Sequence, residues 1–344
     1  MKRLVCLLCC LMLLCGCLPA AHAERYTASF QDVFDTASQL VIYADTQEEA
    51  NRLAQWIYAE LLRYHKLFDQ YHDWPEVTGI YEVNEKAAAG PVKVEPELFQ
   101  LLSFAKEMYS LTSGKTNIAM GSVLRLWHQA REDGLAQPET AYLPAMEALQ
   151  EAAGHINPDQ LVLDEVNGTV FFADPAMQLD VGAIAKGYAV EQVARALEAE
   201  GVNGVLLSIG GNVRAIGVRP DGSAFPVGVQ NPDLKAENQH IAILLLNNAS
   251  LVTSGSYQRY YTVAGKQYHH IIDPTTLMPA THVWAVSVIT EDSGLADALS
   301  TALFNLPLED GMALIDTLPD TEALWVKHDG SLVMSAGIES LLYQ

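Results

Sequence analysis

All five cysteines of this 344-residue chain, Cys6, Cys9, Cys10, Cys15 and Cys17, fall within its first seventeen residues. Beyond Cys17 there is no thiol, so neither a disulfide framework nor a cysteine-bound metal can hold the fold together. Apolar burial and hydrogen bonding must do so instead. Half of the residues are hydrophobic and 18% are charged, which supports a sizeable core and is unlike a disordered chain. One large domain or two small ones fit the length.

The cysteine-bearing segment is itself informative. Met1-Lys2-Arg3 leads into an apolar run from Leu4 to Leu14, about eleven residues and too short to span a bilayer. Residues 1–23 therefore have the form of a secretory signal, leaving residues 24–344 as one continuous domain in which two lobes have room. Two cleavage sites compete. Leu14-Cys15-Gly16-Cys17 resembles a lipobox that would leave a lipid anchor on Cys17, whereas Ala21-His22-Ala23 suits ordinary signal peptidase. The chain is expected at the outer face of the cytoplasmic membrane or in the periplasm. Its formal net charge of −22 argues against nucleic acid as a partner. An anionic ligand on so acidic a protein calls for a mediating cation.

Patterning predicts an α+β fold, with mixed sheets and packed helices. Residues 38–44 read as a strand, and Thr46-Gln47-Glu48-Glu49 as a capping box opening a helix that turns Leu53, Ile57, Leu61 and Leu62 inward. A second helix begins near Pro96 and stops before Gly114. Further strands are expected at 205–208, 241–246 and 284–289, and helices near 184–200, 295–304 and 309–317. The polar stretches 82–92 and 130–160 read as loops or insertions.

Five motifs can carry chemistry. In the run Asp180 to Tyr188 (DVGAIAKGY), a carboxylate and two glycines precede an amphipathic helix, an anion seat that Lys186 could neutralise; a plain helix start with an exposed lysine is the ordinary alternative. Gly210-Gly211, ending a strand, either makes a turn or lets a flat ligand approach the backbone. Ser254-Gly255 lacks the nucleophile-elbow pattern, so Ser254 reads as a hydrogen-bonding loop residue. In His269-His270-Ile271-Ile272-Asp273-Pro274, a histidine and a carboxylate near one another could activate a hydroxyl, or a strand could simply end in an Asp-Pro turn. Asp297 and Thr301, four apart, share one helix face and suit magnesium, unless Asp297 merely caps its helix. No Walker sequence, His-Glu-x-x-His motif or dinucleotide fingerprint is present.

Taken together and in order, DVGAIAKGYA, SIGGN, PVGVQNP, VTSGSYQR, YHHIIDP and ADALSTALF resemble the ApbE family, flavin transferases formerly described as thiamine-biosynthesis lipoproteins. The likeness runs from about Phe34 to Phe304. It implies a T-fold-like flavin transferase domain that binds FAD as substrate with a magnesium ion. The implied FAD contacts are Phe34, Tyr71, Lys115, Thr116, Asn117, Asp180, Lys186, Gly210, Gly211, Ser254, Gly255 and Ile271, with Tyr71 on the isoalloxazine side. The implied metal ligands are Asp297, Thr301 and the Ala183 carbonyl. Two places depart from the family: Phe34-Asp35-Thr36 stands where Met-Gly-Thr is usual, and Thr116-Asn117 where Phe-Asp is frequent.

The chemistry so implied moves the FMN half of FAD onto a threonine or serine of an exported, membrane-bound redox subunit and releases AMP. His270 paired with Asp273 is the candidate base for the acceptor hydroxyl. Two other functions share these residues: a magnesium-dependent FAD pyrophosphatase giving FMN and AMP, and a non-catalytic FAD-binding lipoprotein.

Overall fold

The computed structural model describes residues 23–343. Residues 1–22 of the signal segment, with Cys17, lie outside them. Eight strands form the main sheet: Glu24–Val33, Thr36–Ala44, Val205–Ile209, Asn212–Ile216, Ser250–Gly255, Ala285–Thr290, Glu322–Val326 and Leu332–Met334. They lie side by side in sequence order, and every neighbouring pair is antiparallel. The remaining elements are inserted between these strands. Residues between Ala44 and Val205 supply most of the helices and a small three-stranded sheet; two hairpins, Phe225–Gln230 with His240–Leu246 and Tyr260–Val263 with Lys266–His269, flank the Ser250–Gly255 strand in sequence.

The sheet is apolar on both faces because both are covered. Leu40, Ile42, Val205, Leu207 and Ile209 pack under the helices Gln47–Phe68, Pro96–Leu111 and Ala185–Ala199. Val252, Val286 and Val288 continue that face under the helix Ser293–Phe304. On the opposite face Ala215, Leu251, Ala285 and Leu324 meet Phe225, Val227 and Leu244 of the first hairpin. Alternate residues of one strand thus serve two separate cores.

Most element expectations hold. The first helix spans Gln47–Phe68, with the Thr46 hydroxyl accepting from the Glu49 amide at 3.2 Å. Glu49 reaches back to the Asp45 amide instead of the Thr46 amide, so the cap is a near variant of the box. Pro96 is the first residue of the helix expected there, which ends at Leu111 before Ser113 and Gly114 turn with positive φ. Two readings need correction. Within 82–92, residues 82–86 are the end of a helix, Ile80–Lys86, whose short apolar stripe (Ile80, Val83) is too brief to show periodicity, while 87–91 are the expected loop. Within 130–160, the helix Gly121–Ala136 runs on to Ala136 and a second helix covers Met146–Ala152; their exposed faces made the stretch look like loop.

Candidate active site

The site begins where two helices touch. Gly187, in the first turn of Ala185–Ala199, lies so close to the Ser293–Phe304 helix that a Cβ there would stand 2.3 Å from the Ser293 carbonyl oxygen and 2.4 Å from the Asp297 Cβ. Only glycine allows this approach. In return the Gly187 amide donates to Asp297 Oδ2 at 2.8 Å, and Lys186 Nζ stands 3.9 Å from the same oxygen. Asp297 is buried, and desolvation raises its pKa against the opposing pull of Lys186 and the Gly187 amide. It does not cap its helix: that role belongs to Asp292, which accepts from the Leu295 amide at 2.9 Å. Thr301, one turn on from Asp297, and Ala183, just before the other helix, border the same cleft.

That cleft has a volume of about 870 Å³, within the ~300–1,000 Å³ typical of ligand sites. Tyr71, Lys115, Asn117, Asp180 and Lys186 line it, with Gly210, Ser254, Gly255, His270 and Ile271. Local structure explains several of these positions. Asn84 clamps the stretch before Asp180 by donating to the Leu179 carbonyl at 2.9 Å and accepting from its amide at 2.7 Å. Gly210 and Gly211 are the two positive-φ residues of the hairpin turn between the third and fourth strands of the main sheet, so the turn reading is right and Gly210 still faces the cleft.

Four expected residues do not face it. Phe34 packs edge-on against the His65 ring, with centroids 5.6 Å apart, and leaves Asp35 and Thr36 at the cleft. Thr116 is buried, its hydroxyl donating to the Ala298 carbonyl at 2.6 Å. Gly211 turns its carbonyl to the Thr253 amide. Asp273 is buried beside Lys115, which donates to it at 2.8 Å, and also accepts from the Thr275 amide. The expected His270–Asp273 pair is therefore not formed. An i, i+3 spacing brings side chains together on a helix, but here the backbone is irregular and the two point apart.

His270 has a different partner: its Nδ1 lies 3.2 Å from the Arg259 carbonyl oxygen. A carbonyl only accepts, so Nδ1 carries the proton and Nε2 is left with a lone pair. The ring is open to solvent along the cleft yet crowded by the walls. Desolvation foremost, then the charge of Arg259, lowers its pKa to about 3, which keeps the imidazole neutral at physiological pH. The Arg259 guanidinium also donates to the Asp35 carbonyl at 3.2 Å, tying the first hairpin turn to this loop.

At the cleft's other side Tyr71, half exposed, stacks on His128, with centroids 4.7 Å and planes 25° apart. Asp69 shapes the loop that presents Tyr71. Its carboxylate accepts from the Tyr71 amide at 2.7 Å and from the Trp74 indole at 3.0 Å, and pairs with His72 at 2.8 Å. Burial alone would raise the Asp69 pKa, but these bonds hold it below the usual carboxylate range. Gln70 donates to Asp180 at 2.7 Å, joining this loop to the first motif. Sequence reasoning missed His128, Arg131, Arg259 and Asn212, all of which border the cleft. Arg259 and Asn212 stand at the edge of recognised motifs; His128 and Arg131 carry no local signal.

The residues present fit a magnesium ion. Among the described residues no three His, Cys, Asp or Glu side chains cluster closely enough to hold a metal alone. Asp297, Thr301 and Ala183 offer oxygen donors only, an incomplete set that suits a hard cation completing its shell with water and ligand phosphate. The buried carboxylate has Lys186 as a rather distant counter-charge.

The sequence model of the ApbE family matches residues 34–325. The chain belongs to the ApbE family. An FAD:protein FMN transferase of Klebsiella pneumoniae is 32% identical over 300 residues, spanning 86% of this chain and 88% of its own length. The enzyme of that description from Treponema pallidum is 33% identical over 270 residues, or 74% and 72% of the two chains. The crystal structure of the ApbE protein of Thermotoga maritima matches with a TM-score of 0.81 at 27% identity, covering 93% of this chain and 100% of that one. The ApbE fold thus accounts for nearly all of the described residues.

Proposed function

We propose that this chain is an FAD:protein FMN transferase that moves FMN from FAD to a threonine or serine hydroxyl of an exported redox protein. The observation that carries the reading is the meeting, in one large cleft, of the oxygen-bearing residues Asp297, Thr301 and Ala183 beside Lys186 with a histidine whose Nδ1 is bonded to a carbonyl and whose Nε2 is therefore left to accept a proton. Lys115, Arg131, Lys186 and Arg259 border this cleft together with Asp35, Glu132, Asp180 and Asp297, so its lining is formally balanced within an acidic molecule, and a bound cation would supply the positive charge that an anionic substrate requires.

Asp297, Thr301 and the Ala183 carbonyl would hold magnesium, which when bound neutralises the pyrophosphate and acts as a Lewis acid on it. Lys186 adds a second positive charge at the same place. The acceptor hydroxyl attacks the FMN-side phosphorus, forming a new O–P bond while the bond to the bridging oxygen breaks and AMP leaves with that oxygen. The hydroxyl proton passes to His270 Nε2. Arrival of the anionic phosphates makes the imidazole more basic than it is in the empty cleft. We further propose that the protein is exported and anchored at Cys17, which would hold donor and acceptor on one membrane surface.

Incubation of the protein with FAD, magnesium and an acceptor protein, followed by a denaturing gel viewed under ultraviolet light and an AMP assay, tests this. A fluorescent acceptor band with equimolar AMP is expected. AMP without the band would make the protein a pyrophosphatase, and bound FAD with neither product would make it a carrier.

A further inference from the structure

Asn212 begins its strand directly after the Gly210-Gly211 turn. Side chains two apart on a strand share a face. Arg214, two residues on, reaches Glu191 at 3.2 Å and Glu198 at 2.8 Å, both on the Ala185–Ala199 helix. Asn212 therefore faces the same helix layer. Register sets its height: Ile216 pairs with Val205, just past that helix's last turn, while Asn212 pairs with Ile209 at the opposite end, toward Lys186 and Gly187.

The residue borders the cleft and is 1% exposed, yet neither its Oδ1 nor its Nδ2 has a hydrogen-bond partner. Among the described residues it is the one side chain with two buried polar atoms unpaired. Burying a carboxamide in that state is costly, and the cost is sustained where a ligand completes the bonds. An acceptor next to a donor is complementary to a heterocycle edge that presents a donor next to an acceptor. A pyrophosphate, offering acceptors alone, would leave Oδ1 unsatisfied.

We infer that Asn212 is a further substrate-binding residue whose carboxamide pairs with the edge of one heterocycle of FAD. This rests on the flavin-transferase reading. Adenine, with its amino group beside a ring nitrogen, and the flavin dione, with N3–H beside a carbonyl, share the required chemistry.

Titration calorimetry of the wild type, Asn212→Leu and Asn212→Ser with FAD and magnesium, with FMN and ADP as competitors, tests the inference alongside the Tm of each protein without nucleotide. FAD affinity should fall about tenfold or more in both variants, the equivalent of one or two lost buried hydrogen bonds. The unliganded Asn212→Leu protein should melt at or above the wild-type Tm, because an apolar group of similar size replaces an unpaired amide. Loss confined to ADP assigns the adenine edge, and loss confined to FMN the flavin edge. Unchanged FAD affinity in both variants overturns the inference. So does a lowered Tm of unliganded Asn212→Leu, which would make the amide a structural group. A wild-type protein that fails to bind FAD would defeat the flavin reading itself and this inference with it.

Discussion

At the scale of single residues, His270 is the group whose chemistry is most sharply defined by its surroundings. The Arg259 carbonyl assigns its tautomer, and desolvation by the crowded cleft walls with a neighbouring guanidinium keeps it neutral. His270→Ala should leave FAD affinity near the wild-type value while transfer falls about 10²–10⁴-fold, the usual contribution of a positioned base; single-turnover transfer measured beside FAD titration checks the split. A sign follows for pH. The folded-state pKa of about 3 lies below the model-peptide value of 6.5, so the unfolded chain binds the proton first and stability is lost as pH falls from about 6.5 toward 3. Between pH 6.5 and 5, where few carboxylates titrate, His270→Gln should therefore lose less stability than the wild type in denaturant titrations.

At the scale of elements, the site depends on the contact between the helices Ala185–Ala199 and Ser293–Phe304. Gly187→Ala places a methyl group against backbone, which cannot move aside as a flexible side chain can. We expect a loss of about 1–3 kcal/mol in the denaturant midpoint together with a raised magnesium requirement, since the Gly187–Asp297 bond must lengthen. A second clamp lies one turn deeper. Buried Glu191 accepts from Arg214 at 3.2 Å and from the Ser293 amide at 3.0 Å, and so fixes where the second helix starts. Arg214→Met would leave that carboxylate with the half-exposed Arg195 as its ion-pair partner and should cost about 3 kcal/mol, read from chemical unfolding.

At the scale of the whole molecule, a net charge of −22 opposes an anionic dinucleotide, and the cleft's cations Lys115, Arg131, Lys186 and Arg259 are matched by Asp35, Glu132, Asp180 and Asp297. Removal of divalent cations with EDTA should weaken FAD binding and abolish both transfer and AMP release, and added magnesium should restore all three. Much of this architecture was legible in the chain. The stripes of the Gln47–Phe68 and Pro96–Leu111 helices and the Asp297–Thr301 spacing are local patterns, fixed by 3.6-residue periodicity, and residues distant in sequence are not needed to read them. The absence of thiols beyond Cys17 likewise settles, from sequence alone, that the fold owes nothing to disulfides. Other features exist only between segments far apart in the chain. The partner of Asp273 is Lys115, 158 residues away, and the His128 ring under Tyr71 comes from a helix that no motif marks. Which neighbour a polar group meets is decided by the packing of inserted elements onto the sheet, a long-range outcome that local spacing does not encode. The sequence determined the long amphipathic elements and the motif residues of the site; the short inserted helices, the motif-less His128 and Arg131, and which residues share the cleft were decided by the tertiary structure alone.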